Sequence, residues 1–68
     1  MNNTIRVERA KKRISQEELA NALNVSRQTI HSIENGKFVP STLIALKLAR
    51  YFKTRAEDIF QLDDNDVS

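Results

Sequence analysis

One short segment of the chain concentrates polar side chains suited to hydrogen bonding, namely Arg27, Gln28, Thr29, His31, Ser32 and Asn35. Arginine binds guanine O6 and N7, and glutamine binds adenine N6 and N7, each through two hydrogen bonds. At ~100° per residue, Gln28, Ser32 and Asn35 fall roughly opposite Ile30 on a helix and face outward. His31 and Ser32 are adjacent, so their side chains diverge and do not form a nucleophile and its base. We therefore expect a binding surface and no enzyme.

The elements that position this surface are marked by helix caps. Ser15 followed by Glu18 is a capping box, with Ile14 and Leu19 as the apolar pair around it. Ser26 repeats the cap before the polar segment, and Gly36 stands where a left-handed helix end belongs. These signals predict helices over 16–23 and 27–34.

The rest of the chain also has helical periodicity, and strand candidates are nearly absent. A first helix is predicted over 4–13, a fourth from Pro40 and Ser41 to about Phe52, and a short fifth from Thr54 to about Phe60. Asn24, between the second and third helices, is expected in the left-handed conformation. The prediction is an all-α, five-helix bundle over residues 4–60.

The charge is unevenly distributed along the 68 residues. Residues 1–55 carry eleven basic and four acidic side chains, 11 − 4 = +7, whereas residues 56–68 carry five acidic ones, −5. A basic body is typical of proteins with a polyanionic partner. The acidic tail, residues 61–68, is expected to be solvated and disordered. With no cysteine and no metal-ligand cluster, so small a domain gains support from self-association, and homodimerisation is expected.

The compartment is predicted from what the sequence lacks. No apolar run approaches the ~20 residues of a membrane span. The N-terminal segment has no apolar centre of the signal-peptide kind. We expect a cytoplasmic protein with no membrane partner, no metal and no cofactor.

The segment SQEELANALNVSRQTIHSIENGK resembles the helix-turn-helix of Cro- and phage-repressor-type transcription regulators, the XRE-like family. The matching residues are Gln16, Leu19, Ala20, Val25, Ser26, Ile30, Ile33, Glu34, Asn35 and Gly36. The similarity continues through PSTLIALKLARYFKTRAEDIF. Departures from the family pattern are Asn24 in place of glycine, Val39 in place of a polar residue, and Thr42 and Leu43 in place of an apolar then an acidic residue.

The resemblance implies a compact lambda-repressor-like domain, its helix-turn-helix motif at 16–35, that binds an operator as a dimer. We accordingly predict a sequence-specific DNA-binding regulator, a homodimeric repressor with helix 27–34 in the major groove of an inverted repeat. The base-reading candidates are Arg27, Gln28, His31 and Ser32. The DNA-backbone candidates are Gln16, Ser26, Thr29, Asn35 and Lys37. The dimer-interface candidates are Val39, Leu43, Ala56 and Ile59.

Glu34 is a special case, because it falls ~40° from Ile30 and so near the buried side of its helix. An unpaired carboxylate there is costly. Arg9 occupies the position of the arginine that similar repressors pair with this glutamate, and its planar fork suits a bidentate bond. The alternative is that Glu34 reaches solvent and Arg9 contacts phosphate.

Two other functions remain open at this point. The same fold serves as a protein-interaction module, an antitoxin or a coactivator-like bridge that holds another protein. An RNA-binding domain is the third possibility. A regulatory partner protein is compatible with each of them.

Overall fold

The computed structural model describes residues 1–67, most of which are helical. The helices are α1 (Ile5–Lys12), α2 (Gln16–Leu23), α3 (Arg27–Glu34), α4 (Thr42–Phe52), α5 (Ala56–Ile59) and α6 (Asp64–Val67). Two strands, β1 (Asn2–Asn3) and β2 (Phe60–Gln61), pair antiparallel. The predicted all-α class is confirmed. Within residues 1–67, each helix is too short or too polar to cross a membrane.

Side-chain caps start α2, α3 and α4 where the sequence predicts them. The Ser15 hydroxyl accepts from the Glu18 N–H, and the Glu18 carboxylate accepts from the Ser15 N–H, each at 3.0 Å. The Ser26 hydroxyl accepts from the Thr29 N–H at 3.0 Å, and Ser41 caps α4 in the same way. The predicted bounds of α2 and α3 are therefore confirmed, whereas α4 begins at Thr42, just after its cap.

Within residues 1–67, four helices end in the left-handed backbone conformation, at Arg13, Asn24, Gly36 and Lys53, with φ of 56°, 57°, 73° and 55°. Each end has the paired backbone hydrogen bonds of a Schellman motif; after α3, for example, the Lys37 N–H donates to the Ser32 carbonyl at 2.9 Å. The predictions for Asn24 and Gly36 are confirmed. Arg13 and Lys53 were not predicted, and both adopt a conformation that favours glycine.

The core is formed by one side of each of the first five helices. Its buried side chains are Ile5, Leu19, Ala20, Leu23, Ile30, Ile33, Leu48, Phe52 and Ile59. Ala20 is 1 % exposed, and a small side chain at this position lets α2 and α3 approach closely. Ile59 is 0 % exposed, so its prediction as a dimer-interface residue was wrong: it has no surface to offer a partner.

The two ends of the described chain meet, which the sequence analysis did not predict. Asn2 pairs with Gln61 and Asn3 with Phe60. The predicted disordered tail is also wrong as far as residue 67, because a short helix, α6, begins after Asp63. Asp63 and Asp66 bond reciprocally to each other's backbone N–H groups at 3.1 and 3.0 Å, like a capping box.

The start of α5 also differs from the prediction. Thr54 was expected to cap it, but the N-cap residue is Arg55, which makes no side-chain cap hydrogen bond. The Thr54 hydroxyl instead lies 3.4 Å from the Asp58 carboxylate. Thr54 directly follows the left-handed Lys53, and its N–H donates to the Ala49 carbonyl at 3.0 Å. The backbone of Thr54 is therefore part of the C-terminal end of α4 and does not start α5.

Candidate nucleic-acid interface

The connection between α2 and α3 fixes the angle at which α3 leaves the bundle. The Val25 N–H donates to the Ala20 carbonyl at 3.0 Å, which closes the end of α2. One residue later the Ser26 hydroxyl caps α3 and also lies 2.8 Å from the Thr29 hydroxyl. Ile30 is fully buried, so the opposite side of α3 faces outward.

The first turn of α3 presents two polar side chains to solvent. Arg27 is exposed and makes no side-chain hydrogen bond or ion pair with any described residue. Gln28 is also exposed, and its amide donates to the Ser32 hydroxyl at 3.2 Å. Both side chains are accessible to a partner, and Arg27 loses no hydrogen bond or ion pair with a described residue when it binds one.

A shallow groove runs from this turn to the loop after α3. It is lined by Gln28, Thr29, Ser32, Lys37 and Phe38. The structure thus brings together two base-reading candidates, Gln28 and Ser32, and two DNA-backbone candidates, Thr29 and Lys37. Phe38, which is 48 % exposed, was not predicted as a site residue. The signal in the sequence was its place next to Lys37, just after the predicted third helix.

Gln16, His31 and Asn35 form a second polar group on the same side of the molecule. The Gln16 amide nitrogen lies 3.4 Å from His31 Nδ1. The Asn35 amide nitrogen lies 3.1 Å from His31 Nε2 and donates to the His31 carbonyl at 3.0 Å. His31 is therefore held between a side chain of α2 and one at the end of α3.

Beneath this group, the structure places Arg9 against Glu34. Arg9 Nε lies 2.7 Å from Glu34 Oε2, and Arg9 Nη2 lies 3.1 Å from Glu34 Oε1, which is a bidentate pair. The Glu34 side chain is 0 % exposed and that of Arg9 17 %. Arg9 also donates to the Ile14 carbonyl at 3.0 Å, and so ties the end of α1 to α3. Arg9 and Glu34 are paired, and the alternative of a solvent-exposed Glu34 is wrong.

Two further groups share the Glu34 carboxylate. The Gln16 amide donates to Oε1 at 3.4 Å, and Arg6 Nε lies 3.7 Å from the same oxygen. Arg6 is 71 % exposed and was not predicted as a site residue. It lies three residues before Arg9, on the same side of α1, and this spacing was the signal for it.

The electrostatic balance at Glu34 favours the ionised carboxylate. Burial acts to raise the pKa of Glu34, but the hydrogen bonds from Arg9 and Gln16 and the charges of Arg9 and Arg6 outweigh it, and the pKa lies below its usual value. The hydrogen bond to Glu34 raises the pKa of Arg9. Both members of the pair are therefore charged at neutral pH.

The structure shows two capped helices, α2 and α3, and a polar surface on the outward side of α3. The comparison with known proteins agrees with this arrangement. A helix-turn-helix family model matches residues 5–59. The chain belongs to the helix-turn-helix family. This membership confirms the resemblance to XRE-like regulators.

Relatives of this helix-turn-helix chain match it over nearly its whole length. One from Methanocaldococcus jannaschii is 46% identical over 66 residues, which cover 97% of this chain and 100% of the relative. YgzD of Bacillus subtilis is 42% identical over 64 residues, covering 94% and 97%. Both are described as uncharacterized HTH-type transcriptional regulators. The family to which the chain belongs is thus one of transcription regulators.

The remaining dimer-interface candidates of this helix-turn-helix protein lie on another surface. Val39 and Leu43 are 66% and 63% exposed, and Ala56 is partly buried. Val39 and Ala56 line one apolar groove, whose other residues are Met1, Pro40, Thr42, Ala45, Leu46, Glu57 and Phe60. Leu46, 58% exposed, was not among the candidates. Leu43 lies outside the groove lining.

Proposed function

We propose that the chain is a sequence-specific DNA-binding repressor that acts in the cytoplasm. In this proposal it binds an inverted-repeat operator as a homodimer and places α3 in the major groove. The observation that carries the proposal is the outward side of α3. The Ser26 cap and the buried side chains of Ile30 and Ile33 fix the position of α3. Its outward side carries polar side chains that can form hydrogen bonds with base edges.

The proposed contacts fall into two classes. Arg27, Gln28, His31 and Ser32 read bases, because they occupy the outward side of α3 or its flank. Arg27 suits guanine and Gln28 suits adenine. The backbone contacts are proposed for Gln16, Ser26, Thr29, Asn35 and Lys37, which lie at helix ends and in the loop after α3, and which fix the register without reading sequence.

The net charge supports the same partner. Residues 1–55 carry a charge of +7, by 11 − 4. Arg27 and Lys37 are exposed and take part in no ion pair with a described residue. Free cations on this side provide the salt-dependent part of the affinity for phosphates.

The homodimer proposal rests on exposed apolar side chains near the start of α4. Val39, Leu43 and Leu46 are each more than half exposed. Val39 and Leu46 line the same groove, and a contiguous exposed apolar surface is typical of a site that meets a partner. Two-fold symmetry of the protein then requires a two-fold symmetric operator.

The test is selection of bound duplexes from a random pool. We expect enrichment of an inverted repeat with half-site centres ~34 Å apart, about one helical turn. Measured affinities for that duplex should exceed those for random duplex by at least ~10³-fold and fall steeply with salt. A pool that shows no enrichment, with equal affinity for all duplexes, would refute the proposal.

The apolar groove beside Val39 and Ala56 favours one alternative function, a module that binds another protein. The same experiments distinguish it. Stable complex formation with a co-purifying protein, together with absence of any preferred duplex, would favour this alternative. A monomer at high concentration that binds a single half-site would contradict the homodimer alone. The proposal includes no catalytic step.

A further inference from the structure

Phe38 is a large apolar side chain on the polar surface that the proposed function uses. It is 48 % exposed and is not one of the buried side chains of the core. It lines the shallow groove beside α3, together with Gln28, Thr29, Ser32 and Lys37. The groove therefore has one aromatic wall among side chains that form hydrogen bonds.

The backbone at the end of α3 brings Phe38 to this place. Gly36 is left-handed, with φ of 73°, and the Lys37 N–H donates to the Ser32 carbonyl at 2.9 Å. These features turn the chain back along α3. Phe38 follows directly and lies beside Gln28 and Ser32, which are four residues apart and so share one side of the helix.

The ring of Phe38 has no room to withdraw into the body of the protein. Phe38 also lines a second, small cavity, whose other residues include Met1, Asn3 and Phe60 and whose volume is about 10 Å³. This volume is below the ~30 Å³ that a single water molecule occupies in the liquid. The ring is therefore held half-exposed in the free protein, and a partner that contacts it meets a side chain that is already ordered.

Hydrogen-bond donors remain available next to the ring. Gln28 and Ser32 together carry three donor hydrogens, and their mutual bond at 3.2 Å uses one of them, whichever way the amide is turned. A bond from Gln28 to adenine N7 would use a second, so one donor is left. Thr29 lines the same groove, and its hydroxyl lies 2.8 Å from that of Ser26, whereas its methyl group adds apolar surface.

Thymine has the major-groove edge that matches an apolar wall next to a donor. Its O4 accepts a hydrogen bond, and its C5 carries a methyl group beside that oxygen. Phenylalanine and the methyl group of threonine are among the apolar groups that contact this methyl. Cytosine has neither the methyl group nor the acceptor, and the purines have no methyl group.

We propose that Phe38 is a specificity-determining residue that contacts the methyl group of a thymine in the major groove. The methyl group of Thr29 is the second apolar contact, and a donor of Gln28 or Ser32 binds O4. This inference rests on the proposed function, which places the outward side of α3 against base edges. It deepens that function by adding a base-reading residue outside α3 and by naming its base.

The experiment replaces each thymine of the selected operator, one at a time, by uracil. Uracil keeps O4 and lacks only the methyl group, so the ratio of the two affinities measures the methyl contact alone. We expect that at one thymine per half-site the parent protein binds the uracil duplex roughly fourfold more weakly, as burial of one methyl group predicts.

Two substitutions of Phe38 assign that ratio to its ring. Phe38→Ala should bind the thymine and uracil duplexes equally at this position, whereas Phe38→Leu, which keeps an apolar side chain, should retain most of the preference. Urea unfolding of both variants verifies that they are folded. Lys37→Ala is the matched control from the same groove: it should weaken binding to both duplexes and leave their ratio unchanged.

The possible results separate this inference from the proposed function. Equal affinity of the parent for thymine and uracil at every position would overturn the inference, and so would a ratio that persists in Phe38→Ala. If Phe38→Ala weakened all duplexes alike and kept the ratio, the ring would contact deoxyribose, and the inference would again be wrong. In these cases the operator is still preferred over random duplex, so the proposed function stands. A parent protein without that preference would overturn both.

Discussion

Substitution of Arg9 or Glu34 by methionine should destabilise the fold unequally. In Arg9→Met, the carboxylate of Glu34 stays fully buried, with Gln16 at 3.4 Å and Arg6 at 3.7 Å as its remaining partners. In Glu34→Met, Arg9 keeps the Ile14 carbonyl at 3.0 Å and, at 17 % exposure, is already in contact with water. The stranded carboxylate is the costlier of the two charges.

The magnitude follows from the cost of a buried charge without its partner. Breaking one member of a buried pair costs about 3 to 5 kcal/mol. Arg9→Met should lie in that range and Glu34→Met near its lower end. A domain of 68 residues has a free energy of unfolding of roughly 3 to 10 kcal/mol. Either substitution therefore removes a large share of the stability.

The assay is urea unfolding of the parent, the two single variants and the double variant. The double variant should recover much of the loss, because it leaves neither charge buried without a partner. The control is the exposed pair of Arg55 and Glu57, whose side chains are 72% and 67% exposed and whose substitution should leave the urea midpoint nearly unchanged, because solvent screens the pair. Single variants of Arg9 and Glu34 within ~0.5 kcal/mol of the parent would refute the reasoning.

Three further outcomes are expected. Because the folded-state pKa of Glu34 is lowered, its contribution to stability is present above the unfolded pKa of ~4.3 and is lost as the pH falls through the lower folded value. Urea midpoints should drop below about pH 4, and the drop should be less steep in Glu34→Gln. Glu57→Gln should change the slope much less, because the lowered pKa of Glu57 comes from an exposed pair with Arg55 that solvent screens. Lys53→Gly should raise the free energy of unfolding by about 0.5 to 1 kcal/mol in urea titrations, because it relieves a left-handed φ of 55°; a loss would contradict this. In DNA titrations, Arg27→Ala should cost roughly 1 to 3 kcal/mol of binding free energy and relax the preference at one base pair. Lys37→Ala should instead weaken binding to all sequences alike and lower the salt slope by about one. If Arg27→Ala lost equal affinity for specific and random duplex, that result would contradict the base-reading role.

The parts of the fold that could be predicted depend on contacts within one helical turn. Ser15 and Glu18, or Ser26 and Thr29, lie three residues apart, so both partners of each cap appear together in the sequence. The bounds of α2 and α3 follow directly from these pairs. Gly36 was also recognisable from the local sequence, because a glycine just after a helix usually marks its left-handed end.

The parts that could not be predicted depend on distant partners or on the backbone alone. Asn3 pairs with Phe60, and its amide donates to the Ile33 carbonyl at 2.9 Å, contacts that no local pattern announces. Lys53 is left-handed because its N–H and the next one bond to α4 carbonyls, which any residue type can do. Ile59 was misplaced because a four-residue helix is too short for its periodicity to show which side is buried.

The residues of the candidate site could be named from helix geometry, but their contacts with one another could not. The positions of Gln16 and His31 follow from the helix bounds, whereas the meeting of their side chains depends on rotamers of two long side chains on different helices. Phe38 shows the same difficulty, because it lies in a loop without periodicity. Sequence patterns thus locate the surface better than they describe its hydrogen bonds.

Glu34 connects stability to recognition, because one carboxylate oxygen receives both Arg9 from α1 and Gln16 from α2. A buried ion pair is weak support for stability when compared with well-packed apolar side chains, but it specifies orientation. The double variant Arg9→Met, Glu34→Met should therefore fold and still lose the acceptor that orients Gln16. Its ¹⁵N spectra should show the Gln16 side-chain amide in a changed environment despite a recovered urea midpoint. Unchanged Gln16 amide signals in that folded variant would show that the pair stabilises the bundle without directing the recognition surface.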